Sequence, residues 1–345
     1  MQSGGGGELE KLEFLPLGRG KAPFSAGGRE STFTHFPVSA LDASDRGGYN
    51  GTVITKGGAA PLWEMRKRNM MKVIADSSSN IRRMEGVEFE SVPLKINTSE
   101  KEYEDDASLD LEGMLKELKA YRGKSGTSCP NFQNWMDAFG DAEEIFVTTI
   151  TGELSGSYSA AVHAAREYEQ EHPGRRVCVI DSRSAGPQIR LLVEKIRDLA
   201  AEGADFQSIC DKIKDYHSHT RLLFCLESLH NLAQNGRINH AVAKVAGILG
   251  IRVIGEAKDG VLNPLHKSRG EKKALDTIFS EMVKKGFADG CRVRIAHCLN
   301  PEGAHALKEM ILSRFPKSQI GIEPTGGLCS YYAEHGGLMI GFECC

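Results

Sequence analysis

Short apolar runs alternate with amphipathic segments in the part of the chain that follows residue 70. The run at 72–76 ends in aspartate and is followed by three serines, and similar runs occupy 145–147 and 177–180. Runs stopped by polar residues in this way are typical of buried strands that enter loops. Between them, apolar residues recur at helical spacing, as at Leu111, Met114, Leu115 and Leu118. Because strands and helices alternate, we predict a parallel sheet covered by helices on both faces, an α/β/α domain over residues 71–220.

A different pattern begins near residue 221. Extended segments at 251–256 and 261–266 flank Lys258-Asp259-Gly260, and the Asp-Gly pair is a strong signal for a hairpin turn. Helical and extended segments then alternate towards the end of the chain. We therefore predict a second domain over residues 221–345, in which helices pack on a mixed sheet. The predicted fold class is α/β, with two domains.

The first seventy residues carry no sustained hydrophobic period. Glycine occupies thirteen of the first 60 positions, out of 38 glycines in the chain. A segment of this composition buries too little apolar surface to offset the entropy lost on ordering. It also lacks the apolar core of a secretory signal. We expect residues 1–70 to be a disordered or non-native extension, with a regulatory tail as the alternative.

Composition and charge argue against several classes of protein. The net charge is −3 and the isoelectric point is about 6.4, so no general basic field would attract nucleic acid. No apolar stretch reaches the ~18 residues that a spanning helix needs, which argues against stable membrane insertion. The nine cysteines contain no C-x-x-C pair, and we expect reduced thiols rather than disulfides or a zinc site. A cytoplasmic location is therefore expected.

Three polar turns follow predicted strands or precede predicted helices. They occupy residues 76–79, 126–130 and 151–157, and they contain the hydroxyl groups of Ser77, Thr127, Ser128, Ser155 and Ser157. In open α/β sheets, ligands bind beyond the carboxyl ends of the strands. Each turn could simply cap a helix, but hydroxyls beside the free N–H groups of a helix start also form an anion site. Such groups hold an anion without supplying a strong base, which favours binding over catalysis.

Signals for an autonomous enzyme are weak. The order Gly152-Glu153-Leu154-Ser155-Gly156 misses the G-x-S-x-G spacing of a serine hydrolase by one residue, and the sequence pairs no histidine with Ser155. Neither a P-loop nor a dinucleotide-binding glycine motif is present. The acidic residues at 102–106 are expected to form a solvated loop. No catalytic residue, metal site or cofactor is therefore predicted.

Several short motifs occur in a defined order between Met71 and about Phe342. They are Ala75-Asp76-Ser77-Ser78, Val92-Pro93-Leu94, Thr127-Ser128-Cys129-Pro130, Leu154-Ser155-Gly156-Ser157-Tyr158, Ile180-Asp181-Ser182, Asn235-Gly236-Arg237-Ile238, Lys258-Asp259-Gly260, and Arg269 before Lys272-Lys273-Ala274. Each motif is weak alone. Together, in this order and spacing, they resemble the DegV family of fatty-acid-binding proteins.

The resemblance implies a long-chain fatty acid buried between two domains. The carboxylate of this acid would meet the hydroxyls and amides of Thr127, Ser128, Ser155, Gly156 and Ser157. The resemblance further implies the binding subunit of a bacterial fatty acid kinase, which serves phospholipid metabolism. This subunit presents the carboxylate to a separate ATP-binding subunit and carries the acyl phosphate onward, so it is not an enzyme by itself.

Other positions are implied as partner or accessory contacts. Arg237 and Arg269 match arginines of the family that dock the kinase subunit or steer phosphate, although Arg237 could equally form a surface salt bridge. Asp76, Ser77 and Tyr332 are candidates for accessory contacts with the ligand.

The sequence departs from the family pattern in three places. Cys129 stands where the family usually has glutamine, Gly152 where it has serine or threonine, and Tyr332 near the usual position of a histidine. Whether Tyr332 or Glu334 approaches the carboxylate is left open. Two other functions also stay open at this point, an autonomous serine hydrolase or phosphotransferase and a lipid-responsive sensor or adaptor.

Overall fold

The computed structural model describes residues 71–239 and 250–344, together with the backbone of two short strands before residue 71. All of these residues lie in one compact unit, Asn50–Cys345. The two short strands, Thr52–Thr55 and Gly58–Pro61, pair as an antiparallel hairpin. They lie inside the segment 1–70 that we expected to be disordered, and the other residues of that segment lie outside the described residues.

The described elements are fifteen strands, nine α-helices and a 3-10 helix at Ser77–Ser79, and the strands and α-helices are numbered along the chain. The strands are β1 (Thr52–Thr55), β2 (Gly58–Pro61), β3 (Met71–Asp76), β4 (Glu88–Val92), β5 (Lys95–Asn97), β6 (Glu102–Glu104), β7 (Gly126–Ser128), β8 (Glu144–Thr149), β9 (Arg176–Asp181), β10 (Thr220–Leu226), β11 (Ile251–Lys258), β12 (Val261–Arg269), β13 (Arg292–His297), β14 (Gln319–Pro324) and β15 (Leu338–Glu343). The helices are α1 (Leu111–Ala120), α2 (Phe132–Phe139), α3 (Ser157–Glu171), α4 (Pro187–Ala201), α5 (Phe206–Ser218), α6 (His230–Gln234), α7 (Glu271–Lys284), α8 (Pro301–Arg314) and α9 (Gly327–Ala333).

The apolar runs of the first half form a parallel four-stranded sheet in the order β4-β3-β8-β9. Alternate residues of β3 point to opposite faces, as the period of a strand requires. Ile74 packs with helices α2 and α3, whereas Val73 and Ala75 pack with helices α4 and α5. Both faces are therefore covered, and the prediction of a parallel sheet between helices is confirmed.

The second half forms a six-stranded mixed sheet in the order β12-β11-β10-β15-β13-β14. Only β13 and β14 are paired in parallel among these strands. Helices α7 and α8 cover one face, and α4 packs against strands of both sheets. The predicted mixed-sheet half is confirmed, and the change from one sheet to the other lies at β10, which begins at Thr220.

The hairpin between β11 and β12 turns where the sequence predicts it. Asp259 and Gly260 both have positive φ values, 53° and 82°, the backbone conformation that a two-residue turn of this kind requires. Thr151 Oγ1, in the loop after β8, donates to the carbonyl oxygen of Gly260 at 3.0 Å. The tip of the hairpin is thereby joined to the loops at the carboxyl end of the parallel sheet.

A third, three-stranded sheet in the order β6-β5-β7 contains the segment around Thr127 and Ser128. Strand β7 pairs antiparallel with β5, and Thr127 lies opposite Ile96. Helix α2 is capped by Asn131, whose side chain accepts the N–H of Asn134. The interpretation of the Thr-Ser-Cys-Pro turn as a helix cap is therefore wrong, because its hydroxyl residues form a strand.

The acidic segment at 102–106 also differs from expectation. Its Asp105 is fully buried, forms an ion pair with Arg82, and accepts the N–H groups of Gly327 and Leu328 at 2.6 and 2.9 Å. The prediction of a solvated loop is wrong at this residue. Asp105 instead fixes the start of α9, the helix that carries Tyr332.

Two further expectations concerned the cysteines and membrane insertion. Seven cysteines of the described segments are free, but Cys291 is disulfide-bonded, so the expectation of reduced thiols is wrong there. None of the helices among the described residues combines the length and apolar character needed to cross a membrane.

Candidate functional site

A cavity of about 280 Å³ lies between the carboxyl end of the parallel sheet and one face of the mixed sheet. The loops after β7, β8 and β9 form one side, and β10, β11, β12 and α9 form the other. Its position agrees with the rule that ligands of open α/β sheets bind beyond the strand ends. The cavity is therefore the candidate functional site.

Most of the cavity wall is apolar. The alternation of β10 places Leu222, Phe224 and Leu226 on the cavity side, while Leu223 and Cys225 face the core on the other side. The remaining apolar lining residues come from several elements. They are Leu94, Ile150, Leu154, Ala185, Leu232, Ala257, Leu262, Leu328, Ala333 and Met339.

Hydroxyl residues from two separate segments line the same cavity. Thr127 and Ser128 come from β7, and Ser155 and Gly156 come from the loop before α3. The segments are close, since a β-carbon at Gly156 would lie 3.0 Å from the Sγ atom of Cys129. Ser128 and Gly156 are exposed, so this polar part of the lining reaches the protein surface. The structure thus brings four of the five predicted carboxylate contacts together.

The fifth, Ser157, lies elsewhere. Its hydroxyl is fully buried and donates to Asp76 Oδ2 at 2.6 Å, and it does not line the cavity. Its N–H donates to Ser155 Oγ at 3.3 Å, so the Ser155 hydroxyl supports the start of α3 as well as facing the cavity. The N-cap of α3 is Gly156, and no side chain caps it, so the alternative that Ser155 or Ser157 is the helix cap is wrong.

Two of the predicted accessory residues also stay outside the cavity lining. Asp76 is fully buried at the end of β3, and Ser77 Oγ accepts the N–H of Leu94 at 3.0 Å. Tyr332, in contrast, lines the cavity. Its hydroxyl lies 2.7 Å from Thr127 Oγ1, and burial raises the pKa of this phenol. Tyr332 is therefore a neutral hydrogen-bonding group beside Thr127.

Glu334 faces away from this site. Its carboxylate accepts the hydroxyl of Ser228 at 2.8 Å and the N–H of Asn231 at 3.3 Å, and it lines a different, more polar cleft together with His335. Of the two residues left open by the sequence, it is Tyr332 that reaches the cavity.

The two candidate arginines occupy different places. Arg237 lines the cavity, and its Nε donates to the carbonyl oxygen of Leu154 at 3.1 Å. Arg269 is exposed at the end of β12 and does not line the cavity. Arg237 therefore lies beside the hydroxyl residues of the cavity, whereas Arg269 does not line it.

Two further polar residues line the cavity but were not among the predicted contacts: Thr151, which begins the third candidate turn, and Ser184. Both follow strand ends, Thr151 two residues after the end of β8 and Ser184 three residues after the end of β9. Thr151 N–H donates to the carbonyl oxygen of Ser184 at 2.9 Å, so the two loops are joined. The Asp-Ser ending of β9 pointed to this place, but nothing local in the sequence showed which of its residues would face a cavity.

The lining combines an apolar wall with hydroxyl groups and one positive charge. Among the described residues that line it there is no Asp, Glu, His or Lys, and Arg237 supplies the positive charge. The described residues also contain no cluster of side chains suited to a metal ion. Hydroxyls, amides and one guanidinium attract an anion, while the apolar wall suits a hydrocarbon. An amphipathic carboxylate satisfies both parts of the lining.

Relatives of known sequence match nearly all of the described residues. The model of the DegV family of uncharacterised proteins matches residues 70–343. A DegV domain-containing protein of Streptococcus pneumoniae is 41% identical over 277 residues, which cover 79% of this chain and 98% of the relative. One from Streptococcus gordonii is 40% identical over 277 residues, with the same coverage.

Solved structures match with similar coverage. A DegV family protein from Eubacterium eligens loaded with heptadecanoic acid is 42% identical, with a TM-score of 0.78, over 80% of this chain and 100% of that chain. The Streptococcus pneumoniae Fatty Acid Kinase (Fak) B3 protein loaded with linoleic acid is 40% identical, with the same TM-score and coverage. On the family match and these identities, the chain belongs to the DegV family.

Proposed function

We propose that this protein binds a long-chain fatty acid in the cavity and presents its carboxylate to the ATP-binding subunit of a fatty acid kinase, which forms the acyl phosphate. The observation that carries the proposal is the division of the lining into a long apolar wall and a polar part that reaches the surface. Related DegV proteins hold heptadecanoic and linoleic acids. A carboxylate beside Thr127, Ser128, Ser155 and Gly156 would be open to a phosphoryl donor.

Burial of the acyl chain can supply most of the binding free energy, so the head-group site does not need a strong charge. Sixteen carbons at ~0.8 kcal/mol per buried methylene give a gross stabilisation of about 12 kcal/mol. This exceeds the lower estimates of the cost of association and ordering, so no buried ion pair is needed at the carboxylate. A head group held only by hydroxyls, N–H groups and Arg237 keeps its oxygens available to a second protein.

The chain itself is proposed not to be an enzyme. Serine hydrolysis needs a base beside the nucleophile, and the Ser155 hydroxyl instead accepts the N–H of Ser157. We assign phosphoryl transfer to the partner subunit, and we propose that Arg237 and the exposed Arg269 contact this partner or the phosphate. The boundary between residues 71–220 and 221–345, and the cytoplasmic location, belong to the same proposal.

Ligand binding is tested with the full chain purified from cells. Native mass spectrometry should show bound species in the fatty-acid mass range, and delipidated protein should rebind palmitate. Ala257→Trp should fill the apolar part of the cavity, because Ala257 lies on β11 opposite Leu222. Displacing three or four methylenes corresponds to about a hundredfold weaker binding.

Ala120→Trp is the matched control, because Ala120 is exposed at the end of α1 and this variant should bind palmitate like the unchanged protein. Equal binding by both tryptophan variants would place the acid outside this cavity.

The partner step is tested by adding a kinase subunit and ATP to the loaded protein. Acyl phosphate should form only in the presence of both. Binding without phosphorylation would favour a sensor or adaptor, and ester hydrolysis abolished by Ser155→Ala would favour an enzyme.

A further inference from the structure

A buried carboxylate stands directly behind the polar part of the cavity. Asp76 ends β3, a central strand of the parallel sheet, and is fully buried. Its Oδ2 accepts the N–H of Ile150 at 2.9 Å and the hydroxyl of Ser157 at 2.6 Å. Its Oδ1 accepts the hydroxyl of Ser78 at 2.5 Å. Burial raises the pKa of Asp76 to about 6, while these hydrogen bonds act to lower it.

The two partners of Oδ2 are the two ends of one loop. Ile150 follows β8 directly, and Ser157 is the first residue of α3. Most of the loop between them faces the cavity. Its lining residues are Ile150, Thr151, Leu154, Ser155 and Gly156. A single oxygen atom therefore sets the distance between the ends of a segment that forms one side of the candidate site.

We propose that Asp76 is a positioning residue, which holds both ends of the loop at 150–157 and thereby places the Ser155–Gly156 turn opposite Thr127 for recognition of a carboxylate. The identity of the ligand in this inference rests on the proposed function, whereas the hydrogen bonds of Asp76 are observed in the structure. Asp76 lies outside the cavity lining, so its effect on the ligand passes through the loop. An uncompensated break of such a buried network is expected to loosen the segment it holds.

Contacts with other segments also hold the loop between its two ends. Thr151 Oγ1 donates to Gly260 O at 3.0 Å, Gly152 N–H donates to Asp181 Oδ1 at 3.2 Å, and Leu154 O accepts from Arg237. The experiment must therefore show whether the hydrogen bonds of Asp76 to the two ends of the loop affect ligand binding while these other contacts remain. The hydrogen bonds of Asp76 itself provide a matched pair of variants for this purpose.

Ser157→Ala and Ser78→Ala each remove one hydroxyl donor from Asp76. Both serines are fully buried, and each variant leaves a backbone N–H interacting with Asp76, from Ile150 or from Ser78 itself. The structural cost of the two substitutions should thus be alike. Only Ser157 belongs to the loop, so only Ser157→Ala should change the site.

Palmitate binding to the delipidated full chain is measured by titration calorimetry, and hydrogen exchange is measured in the ligand-free protein. For Ser157→Ala we expect about tenfold weaker binding and about tenfold faster exchange at 150–157. For Ser78→Ala both should stay within about twofold of the unchanged protein. Equal losses in the two variants, or no change in either, would overturn the inference.

Asp76→Asn and Asp76→Ala test the bridging atom. Asparagine can keep its oxygen at the Oδ2 position and let the Ser78 hydroxyl turn to accept, so binding should stay within about threefold. Alanine should weaken binding at least about tenfold, and if it fails to fold, the serine pair still decides. If the unchanged protein does not bind palmitate at all, the proposed function is wrong, while exchange at 150–157 still reports on the positioning role.

Discussion

Two adjacent tyrosines on α9 make similar hydrogen bonds but face different spaces. Tyr331 Oη lies 2.8 Å from Ser125 Oγ and accepts from Asn235 at 3.0 Å, whereas Tyr332 Oη lies 2.7 Å from Thr127 Oγ1. Their ring centroids are 4.9 Å apart. Tyr332 lines the cavity and Tyr331 lines the neighbouring polar cleft. Removing the hydroxyl of each tyrosine in turn therefore distinguishes an effect on ligand binding, expected only for Tyr332, from an effect on the stability of the fold.

Tyr332→Phe is expected to weaken palmitate binding about fivefold to tenfold, because the cavity loses a hydroxyl and Thr127 loses the partner that orients it. Calorimetric titration of delipidated protein measures the loss. Tyr331→Phe serves as the control and should bind palmitate normally. Its free energy of unfolding should fall by about 2 kcal/mol, since two hydrogen bonds are lost. Weaker binding in Tyr331→Phe alone would show that the acid occupies the other cleft.

The hairpin β11–β12 connects the two sheets through its turn. Gly260 has a φ of 82°, and a β-carbon there would lie 2.7 Å from both Thr151 Oγ1 and Glu153 Cγ. Glycine is therefore required at position 260 for two reasons: the positive φ of the turn and the close approach of the turn to the loop before α3. A second glycine with a similar backbone, Gly290, has a φ of 91° and open space around its α-carbon.

Gly290→Ala should lower the free energy of unfolding by about 1 kcal/mol, the cost of a side chain at positive φ. Gly260→Ala should lower it by about 1–3 kcal/mol more, because the new methyl group displaces Thr151 or the turn itself. Chemical denaturation measures both values. Palmitate affinity should fall only in Gly260→Ala, since Thr151 lines the cavity. Equal destabilisation by the two variants would mean that a methyl group at position 260 does not clash with the loop before α3.

Local elements could be predicted from the sequence, and contacts between distant segments could not. The Asp-Gly turn and the strand that ends at Asp76 were predicted because their signals lie within a few residues. Thr127 was misassigned because β7 forms through pairing with β5, about thirty residues earlier in the chain, and Pro130 resembled a helix start. The burial of Asp105 depends on Arg82 and on the start of α9, which no local pattern reveals.

The candidate site shows the same limit. Turn chemistry and family motifs located Thr127, Ser128, Ser155 and Gly156 on one cavity. The different role of Ser157 could not be read from spacing, because only the fold brings its hydroxyl to Asp76 across 81 positions. Arg237 likewise meets Leu154 across 83 positions. Residues that act through such long-range hydrogen bonds need the assembled structure.

Across the whole molecule, a cluster of charges joins α4 to the far edge of the mixed sheet. Arg190 on α4 forms ion pairs with Glu194 and with Glu323 on β14, and Arg294 on β13 pairs with Glu194 at 2.7 Å. The cluster is partly buried, so its charges are only weakly screened. Because α4 also packs on the parallel sheet, this cluster couples the two halves of the fold.

The protonation of Glu323 should make this coupling depend on pH. Burial, and then the neighbouring Glu194, raise the pKa of Glu323 to about 7, while Arg190 acts to lower it. A carboxyl whose pKa is raised by folding favours the folded state most when it is protonated. Its contribution is therefore fully present below the unfolded pKa of about 4.5 and is lost as the pH rises through about 7.

Glu323→Gln should remove this dependence, because the amide resembles the protonated carboxyl at every pH. The free energy of unfolding of the variant, minus that of the unchanged protein, should rise between pH 5 and pH 8, by up to about 3 kcal/mol. Urea denaturation at a series of pH values measures this difference. Glu309→Gln is the control, since Glu309 is exposed on α8 and its difference should stay flat. A difference for Glu323→Gln that falls as the pH rises would mean that Arg190 dominates and that the carboxylate, not the acid, joins α4 to β14.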